Sequence, residues 1–319
     1  MTKKKILICG ATGFIGRNLC EALSKDNSLE VFGVNHNKPP FDCSGMKWIQ
    51  ADLTQKNDVE KCMQDVDVII QAAASTSGVK DIINLPHIHV TDNALMNSLI
   101  FRAAHDSQVP HVIFFSCSIM YNPSSTLVKE EDFSADKDIH ADYFGAGWTK
   151  VYLEKMCSFF SGIGSTKYTI ARHSNIYGPY DKFDLERSHV FGASITKVLH
   201  CTNGEITIWG DGSEERDLLY VSDLVDFIKL AIEKQNTPFG LFNVGFGSSI
   251  KVSDLVNKIV TFSGKSIIVK NDTSKPTIKT RVALDCGKAK RQFGWEPKVS
   301  LDEGILKTID WHRSNIPIP

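Results

Sequence analysis

The chain has 319 residues, of which 42% are apolar and 23% charged, and its formal net charge is -1. That length accommodates two domains with a sizeable core, and the charge balance argues against nucleic acid or a membrane surface as partners. The longest apolar runs are strand-length, short of the roughly 20 residues that span a bilayer. The eight cysteines show no paired metal spacing, which fits a reducing, cytoplasmic setting and no metal site.

The N-terminus reads MTKKKILICGATGFIG. Its glycines interrupt the apolar run, so it reads as a strand rather than a signal peptide. KILIC, residues 5–9, is the strand. Gly10, Gly13 and Gly16 follow in GATGFIG, and RNLCEALSK reads as a helix. In that order the first glycine turns the chain, the second admits a pyrophosphate and the third lets helix and strand pack closely. Thr12, Phe14 and Ile15 belong to the same expected phosphate loop, at a helix N-terminus whose free N–H groups favour anions. Glycines alone are weak evidence, but strand before and helix after point to a dinucleotide.

A second strand, Leu29–Val34, ends in Asn35, His36, Asn37 and Lys38. An acid there would hold the adenosine ribose of NAD; its absence, with Lys38 nearby, tilts the expectation slightly toward NADP over NAD. Lys38 reads equally as a solvated loop residue. The third strand, Met46–Gln50, precedes Asp52 and Leu53. Asp52 either faces the adenine or caps a helix starting near Gln55. The fourth strand, Val66–Ile70, leads to Ala72, Ala73 and Ala74, small enough for close approach of a cofactor or helix. A helix is expected at Asn93–Ala104 and a fifth strand at Val109–Phe115, followed by Ser116, Cys117 and Ser118. Strands and helices therefore alternate, which predicts an α/β fold, a doubly wound, mostly parallel sheet that binds ligands beyond the strand carboxyl ends. About 20 polar residues after 120 form a loop of site-lining length.

DYFGAGWTKVYLEKMC, residues 142–157, places Lys150 on a helix expected from about Gly147 to Phe160. One turn before Lys150 stands Ala146. Tyr143 lies seven residues before it, about 10.5 Å along a regular helix. Gly145 and Gly147 make a regular helix unfavourable there, so YFGAG is expected as a loop that folds Tyr143 back over Lys150. Tyr168–Arg172 is another strand, ending in HSNIYGPY. His87 and His89 lack the spacing of a zinc set.

These pieces in fixed order resemble the extended short-chain dehydrogenase/reductase family, in its branch of nucleotide-sugar epimerases, dehydratases and 4-keto reductases. The matching segments are GATGFIG at 10–16, ADL at 51–53, AAA at 72–74, FFSCSIMY at 114–121, TKVYLEK at 149–155 and RHSNIYGPYDKF at 172–183. ERDLLYVSDLV at 215–225, NVGFGSSIKVSDLV at 243–256 and LDCGKAKRQFGWEPKVSLDEGI at 284–305 continue them. The stretch at 175–190 is especially similar to the GDP-fucose synthase-like members.

The resemblance implies a Rossmann sheet with a smaller, interleaved C-terminal substrate domain. Residues 1–178, with a return segment at 217–243, would bind the dinucleotide. Residues 179–216 and 244–319 would bind a nucleotide-diphosphate sugar. It also implies a homodimer and an epimerase or 4-keto reductase working at C4 of a nucleotide-linked hexose. In such enzymes a tyrosinate relays a proton and a lysine one turn later lowers its pKa. Lys150 fits that lysine, also as a cofactor contact, but the tyrosine position is Ala146. The assisting hydroxyl position is Cys117, with Ser118 beside it, and the branch's histidine after Gly-Pro is Tyr180. Tyr143 is expected to relay the proton, with Tyr180 as the rival.

For the substrate, the resemblance implies contacts from Ser77, Gly78, Val79, Asn175, Ser188, His189, Val190, Trp209, Arg216 and, less securely, Arg281. Asn175 reads otherwise as an Asx turn, His189 as a capping residue and Arg216 as a surface ion pair. Arg216 would grip the diphosphate, for which a guanidinium is well shaped. The other reading of the whole chain is a catalytically impaired binder or regulator of nucleotide sugars.

Overall fold

The computed structural model describes residues 2–75, 85–185 and 188–317. In chain order the elements are β1 Lys4–Cys9, α1 Phe14–Leu23, β2 Leu29–Asn35, β3 Met46–Gln50, α2 Lys56–Cys62, β4 Val68–Gln71, α3 Thr91–Asp106, β5 His111–Cys117, α4 Phe144–Ile163, β6 Lys167–His173 and β7 Asn175–Tyr177. There follow α5 Val190–Leu199, β8 Glu205–Trp209, β9 Glu215–Tyr220, α6 Val221–Lys234, β10 Phe239–Val244, β11 Ser249–Lys251, α7 Val252–Ser263, β12 Ile268–Asp272, α8 Gly287–Phe293 and α9 Leu301–Asn315.

Seven strands form one sheet in the order β10-β6-β5-β4-β1-β2-β3, with every neighbouring pair parallel. The run of β1 explains why it sits in the middle. Ile6 and Ile8 enter one apolar cluster, with α1 and α6, while Leu7 and Cys9 enter the other, with α3 and α4. A strand apolar on both faces is stable only between two layers of helices. The strand order reverses between β1 and β4, and ligands of such sheets bind at the carboxyl ends beside that reversal. This is a doubly wound Rossmann sheet.

The C-terminal part builds a smaller domain. Its sheets are β11-β9-β7 and β12-β8, and its core brings together Tyr177, Phe191, Ile195, Ile206, Leu218, Leu255 and Ile305. Phe239–Val244, from the same half of the chain, joins β6 in the large sheet.

Most expected elements appear within two residues of their expected ends, and β3 has the expected bounds. The stretch around Gly145 does not follow expectation. Helix α4 begins at Phe144 and runs through Gly145 and Gly147 without a loop. Tertiary packing supplies the reason. A Cβ added to Gly145 would meet Val90 Cγ2 at 2.8 Å, and one added to Gly147 would meet Ile139 Cγ2 at 2.9 Å. The two glycines make room for neighbouring segments rather than a bend, and the contacts they permit offset their poor helix propensity.

Candidate active site

The loop after β1 takes the shape that the glycine spacing predicts. Gly10 has φ +75°, and a Cβ there would meet the Ala73 backbone at 2.7 Å; only glycine satisfies both conditions. Gly13 is the N-cap of α1 and brings no capping side chain. The N–H groups of Phe14, Ile15 and Gly16 thus lack intrahelical partners at the positive end of the helix. Ala72 continues β4, its N–H donating to the Cys9 carbonyl at 3.1 Å.

Beside this loop lies a cleft of about 400 Å³, lined by Gly10, Thr12, Asn35, His36, Lys38, Asp52, Leu53, Ala73 and Ala74. Asp52 does not cap α2. Its Oδ1 accepts from the Thr54 N–H at 2.9 Å and hydroxyl at 2.7 Å, and these bonds hold its carboxyl below the usual range. His36 Nε2 approaches it at 3.9 Å. Asn35 is tied to Gln50 by its carboxamide, and Lys38 is exposed. A helix N-terminus without a capping side chain, small residues at the turn and a cleft ending in polar groups at β2 fit a dinucleotide.

Lys150 lies over the carboxyl end of β5. Its Nζ donates to the Phe115 carbonyl at 2.7 Å and sits 4.7 Å from the Phe114 ring centre. Burial lowers its pKa, and Cys117 and Glu154 oppose the shift. Ala146 is one turn away and brings no polar group. Cys117 and Ser118 are half-buried at the strand end. Burial raises the Cys117 thiol, with Lys150 opposing.

Tyr143 is the N-cap of α4, two turns from Lys150. Seven residues before Lys150, it makes no hydrogen bond to the lysine among the described residues. Its ring packs in the cluster of Met120, Tyr121 and Ile139. Burial raises its pKa, and the next influences are the Arg216 guanidinium, which opposes the rise, and Cys117. Tyr143 thus stands within electrostatic reach of both Arg216 and Cys117.

Tyr180 goes elsewhere. It has φ +69°, its ring lies 3.9 Å from the Arg17 guanidinium on α1, and its edge meets Trp311 on α9 at 4.9 Å. It is not brought to Lys150 by any contact among the described residues.

Arg216 is half-buried on β9. It donates to the Glu215 carbonyl at 2.8 Å, to Thr280 Oγ1 at 3.1 Å and to the Ile278 carbonyl at 3.0 Å. Among the described residues no carboxylate pairs with it. The surface ion pair instead joins Arg281 to Glu215, 3.3 Å apart. His189 is the exposed N-cap of α5, whose first residue is Val190, and it carries no capping bond. Arg216 and His89 are near enough to act on its ring. Ser188 is tied to the Asp184 carbonyl. Asn175 is in β7 rather than an Asx turn, its Nδ2 donating to the Asp217 carbonyl at 3.2 Å. Trp209 is partly exposed at the end of β8. Ser77, Gly78 and Val79 lie outside the described residues.

Sequence reasoning missed the layer beneath. Arg172 makes two bonds to Glu154, which also accepts from Ser116 Oγ at 2.6 Å. Arg172 donates to Tyr121 Oη at 2.8 Å, and Tyr121 donates to Asn243 Oδ1 at 2.8 Å. Glu154 four residues after Lys150 and an arginine at the end of a buried strand were the available signal. His173, the last residue of β6, was also missed; only the pairing of β6 with β5 reveals its place beside Cys117.

No helix among the described residues is long and apolar enough to cross a membrane. Among the same residues no cluster of three or more metal-ligating side chains occurs.

The chain is similar to known proteins over nearly its whole length. It is 29% identical over 314 residues to the GDP-L-colitose synthase of Yersinia pseudotuberculosis, covering 96% of this chain and 97% of the relative. It is 26% identical to the GDP-L-fucose synthase of Sinorhizobium fredii, covering 98% and 96%. Among solved structures, the UDP-glucose 4-epimerase of Thermotoga maritima superposes with a TM-score of 0.86 at 24% identity, covering 98% and 100%. The UDP-glucuronic acid 4-epimerase of Bacillus cereus, in complex with NAD, does so with 0.80 at 26%, covering 97% and 96%. The profile of the NAD dependent epimerase/dehydratase family matches residues 6–245. The chain therefore belongs to the NAD dependent epimerase/dehydratase family of enzymes.

Proposed function

We propose that the chain is an NAD-dependent epimerase or 4-keto reductase acting at C4 of a nucleotide-linked hexose. The observation that carries this reading is Arg216. A half-buried guanidinium, oriented by carbonyl groups and without a carboxylate partner among the described residues, is set to bind an anion. His189 and the open N-terminus of α5 lie beside it, which suits a diphosphate.

The bound nicotinamide would supply reversible two-electron oxidation of the sugar carbon. Phe14–Gly16 would hold its pyrophosphate, Ala73 and Ala74 admit its body, and Lys150 would hold its ribose. Residues 1–178 and 217–243 would serve the dinucleotide, and 179–216 with 244–319 the sugar nucleotide. Tyr143, within electrostatic reach of Arg216, would border the sugar. The cofactor is NAD in this reading. The case for NADP rests on Lys38, and the ionised Asp52 in the same cleft opposes a 2′-phosphate.

The GDP-sugar synthases among the relatives support a guanine base. A homodimer is supported by an apolar face on α3 and α4. Leu95, Tyr152, Phe159 and Ile163 are exposed by 50, 55, 59 and 55%, and the last three recur along one side of α4. Calorimetry with GDP and UDP on the parent and on Arg216→Ala tests the clamp; equal binding by both proteins would place Arg216 outside the site. Ala146 favours the second reading, a binder that has lost turnover.

A further inference from the structure

We propose that His173 takes and returns the proton of the sugar C4 hydroxyl in this chain, where the acid–base position before Lys150 is Ala146. This assignment rests on the reaction proposed above.

Place comes first. His173 ends β6 at the ligand-binding edge of the sheet, in register with Cys117 on one side and Val244 on the other. Its ring packs edge-on against Phe115, centroids 6.0 Å apart, and Phe115 is the residue whose carbonyl holds Lys150. The imidazole is half-buried at the strand end.

Its protonation state follows from one bond. Nδ1 lies 2.7 Å from the Ser174 carbonyl oxygen. A carbonyl only accepts, so Nδ1 carries the hydrogen and Nε2 keeps its lone pair. Nε2 has no hydrogen-bond partner among the described residues. The groups that face the ring are Lys150 from α4, His189 from the start of α5 and Cys117 from β5; Val244 on β10 brings no charge. Burial chiefly, with Lys150 and His189, holds its pKa at about 4. The ring is therefore neutral at pH 7 and ready to accept.

Most other polar groups at the strand ends are engaged or misplaced, and the half-buried Ser118 offers a hydroxyl, which is a donor rather than a base at neutral pH. Ser116 donates to Glu154, and Tyr121 donates to Asn243 while accepting from Arg172. Tyr180 is packed on α1 and α9. Tyr143 caps α4 two turns before Lys150, and burial raises its pKa, so the phenol keeps its proton. The Cys117 thiol is raised by burial and keeps its proton.

Oxidation of a C4 carbinol to a ketone releases a hydride, for which the oxidised dinucleotide is the acceptor, and one proton. The C4 O–H bond breaks, the proton goes to Nε2 and imidazolium forms. Burial chiefly, with Lys150 and His189, makes that imidazolium acidic, so it returns the proton readily when the ketone is reduced.

His173→Gln, made in the full chain, is expected to lower kcat by roughly 10²–10⁴-fold and to leave dinucleotide binding nearly unchanged. Tyr143→Phe is expected to change KM rather than kcat. In NMR titration of the parent, the Cε1–H signal that vanishes in His173→Gln should titrate near 4 and move upward in Lys150→Met. Parental turnover with an unaffected kcat in His173→Gln would overturn the assignment alone. So would an ordinary imidazole titration indifferent to Lys150→Met. If the parent converts no GDP- or UDP-hexose, the reaction itself is wrong and the role falls with it.

Discussion

Glu154 and Arg172 face each other through two bonds, Nε to Oε1 at 2.9 Å and Nη2 to Oε2 at 2.6 Å, and both side chains are buried. The pair joins α4, one turn past Lys150, to β6, one residue before His173. It therefore fixes the height of the lysine against the strand that ends in the imidazole. Arg172→Met leaves a buried carboxylate without its partner. The expected loss is about 3–5 kcal/mol, read from urea unfolding. A loss below about 1 kcal/mol would show that water reaches Glu154.

Asp181 supplies a pH signature of stability. Its Oδ2 is buried without a partner, and burial lifts the carboxyl to about 7. The folded chain then keeps a proton that the unfolded chain releases near 3.8. Stability from this group is full below 3.8, falls as pH rises toward 7 and is level above it. Asp181→Asn should gain stability relative to the parent at pH 8 and little at pH 4. An equal difference at both values would contradict this.

How much of this was legible beforehand differs by element. The phosphate loop was readable because strand, glycines and helix are neighbours in sequence, and the physics that selects Gly10 is local. Helix α4 was misread at its start because Gly145 and Gly147 are judged by propensity in sequence but by Val90 and Ile139 in space. His173 and the Glu154–Arg172 pair were invisible for a related reason. Each acquires its role only when β6 is laid beside β5 and beneath α4. Arg216 was singled out by resemblance, yet its lack of a carboxylate partner among the described residues is a spatial fact, since two glutamates precede it in sequence.

The cofactor prediction concerns Asp52. NAD(H) should bind more tightly than NADP(H) in fluorescence titration, and Asp52→Asn should narrow the difference. A preference for NADP(H) in the parent would return the decision to Lys38.

The apolar face on α3 and α4 predicts association. Light scattering should give twice the chain mass, and Tyr152→Glu with Phe159→Glu should give the chain mass while the fold persists. A monomeric parent would mean that this face is covered by something else.

The central claim is chemistry at C4 of a nucleotide-linked sugar, and product analysis tests it most directly. The parent, supplied with NAD(H) or NADP(H), is incubated with a panel of GDP- and UDP-hexoses and their 4-keto forms, and the sugar is examined by NMR. One nucleotide sugar should be altered at C4, with the conversion sharply reduced in Arg216→Ala. Tight binding of a nucleotide sugar with no change at C4 under any cofactor would contradict it and leave a binding protein in its place.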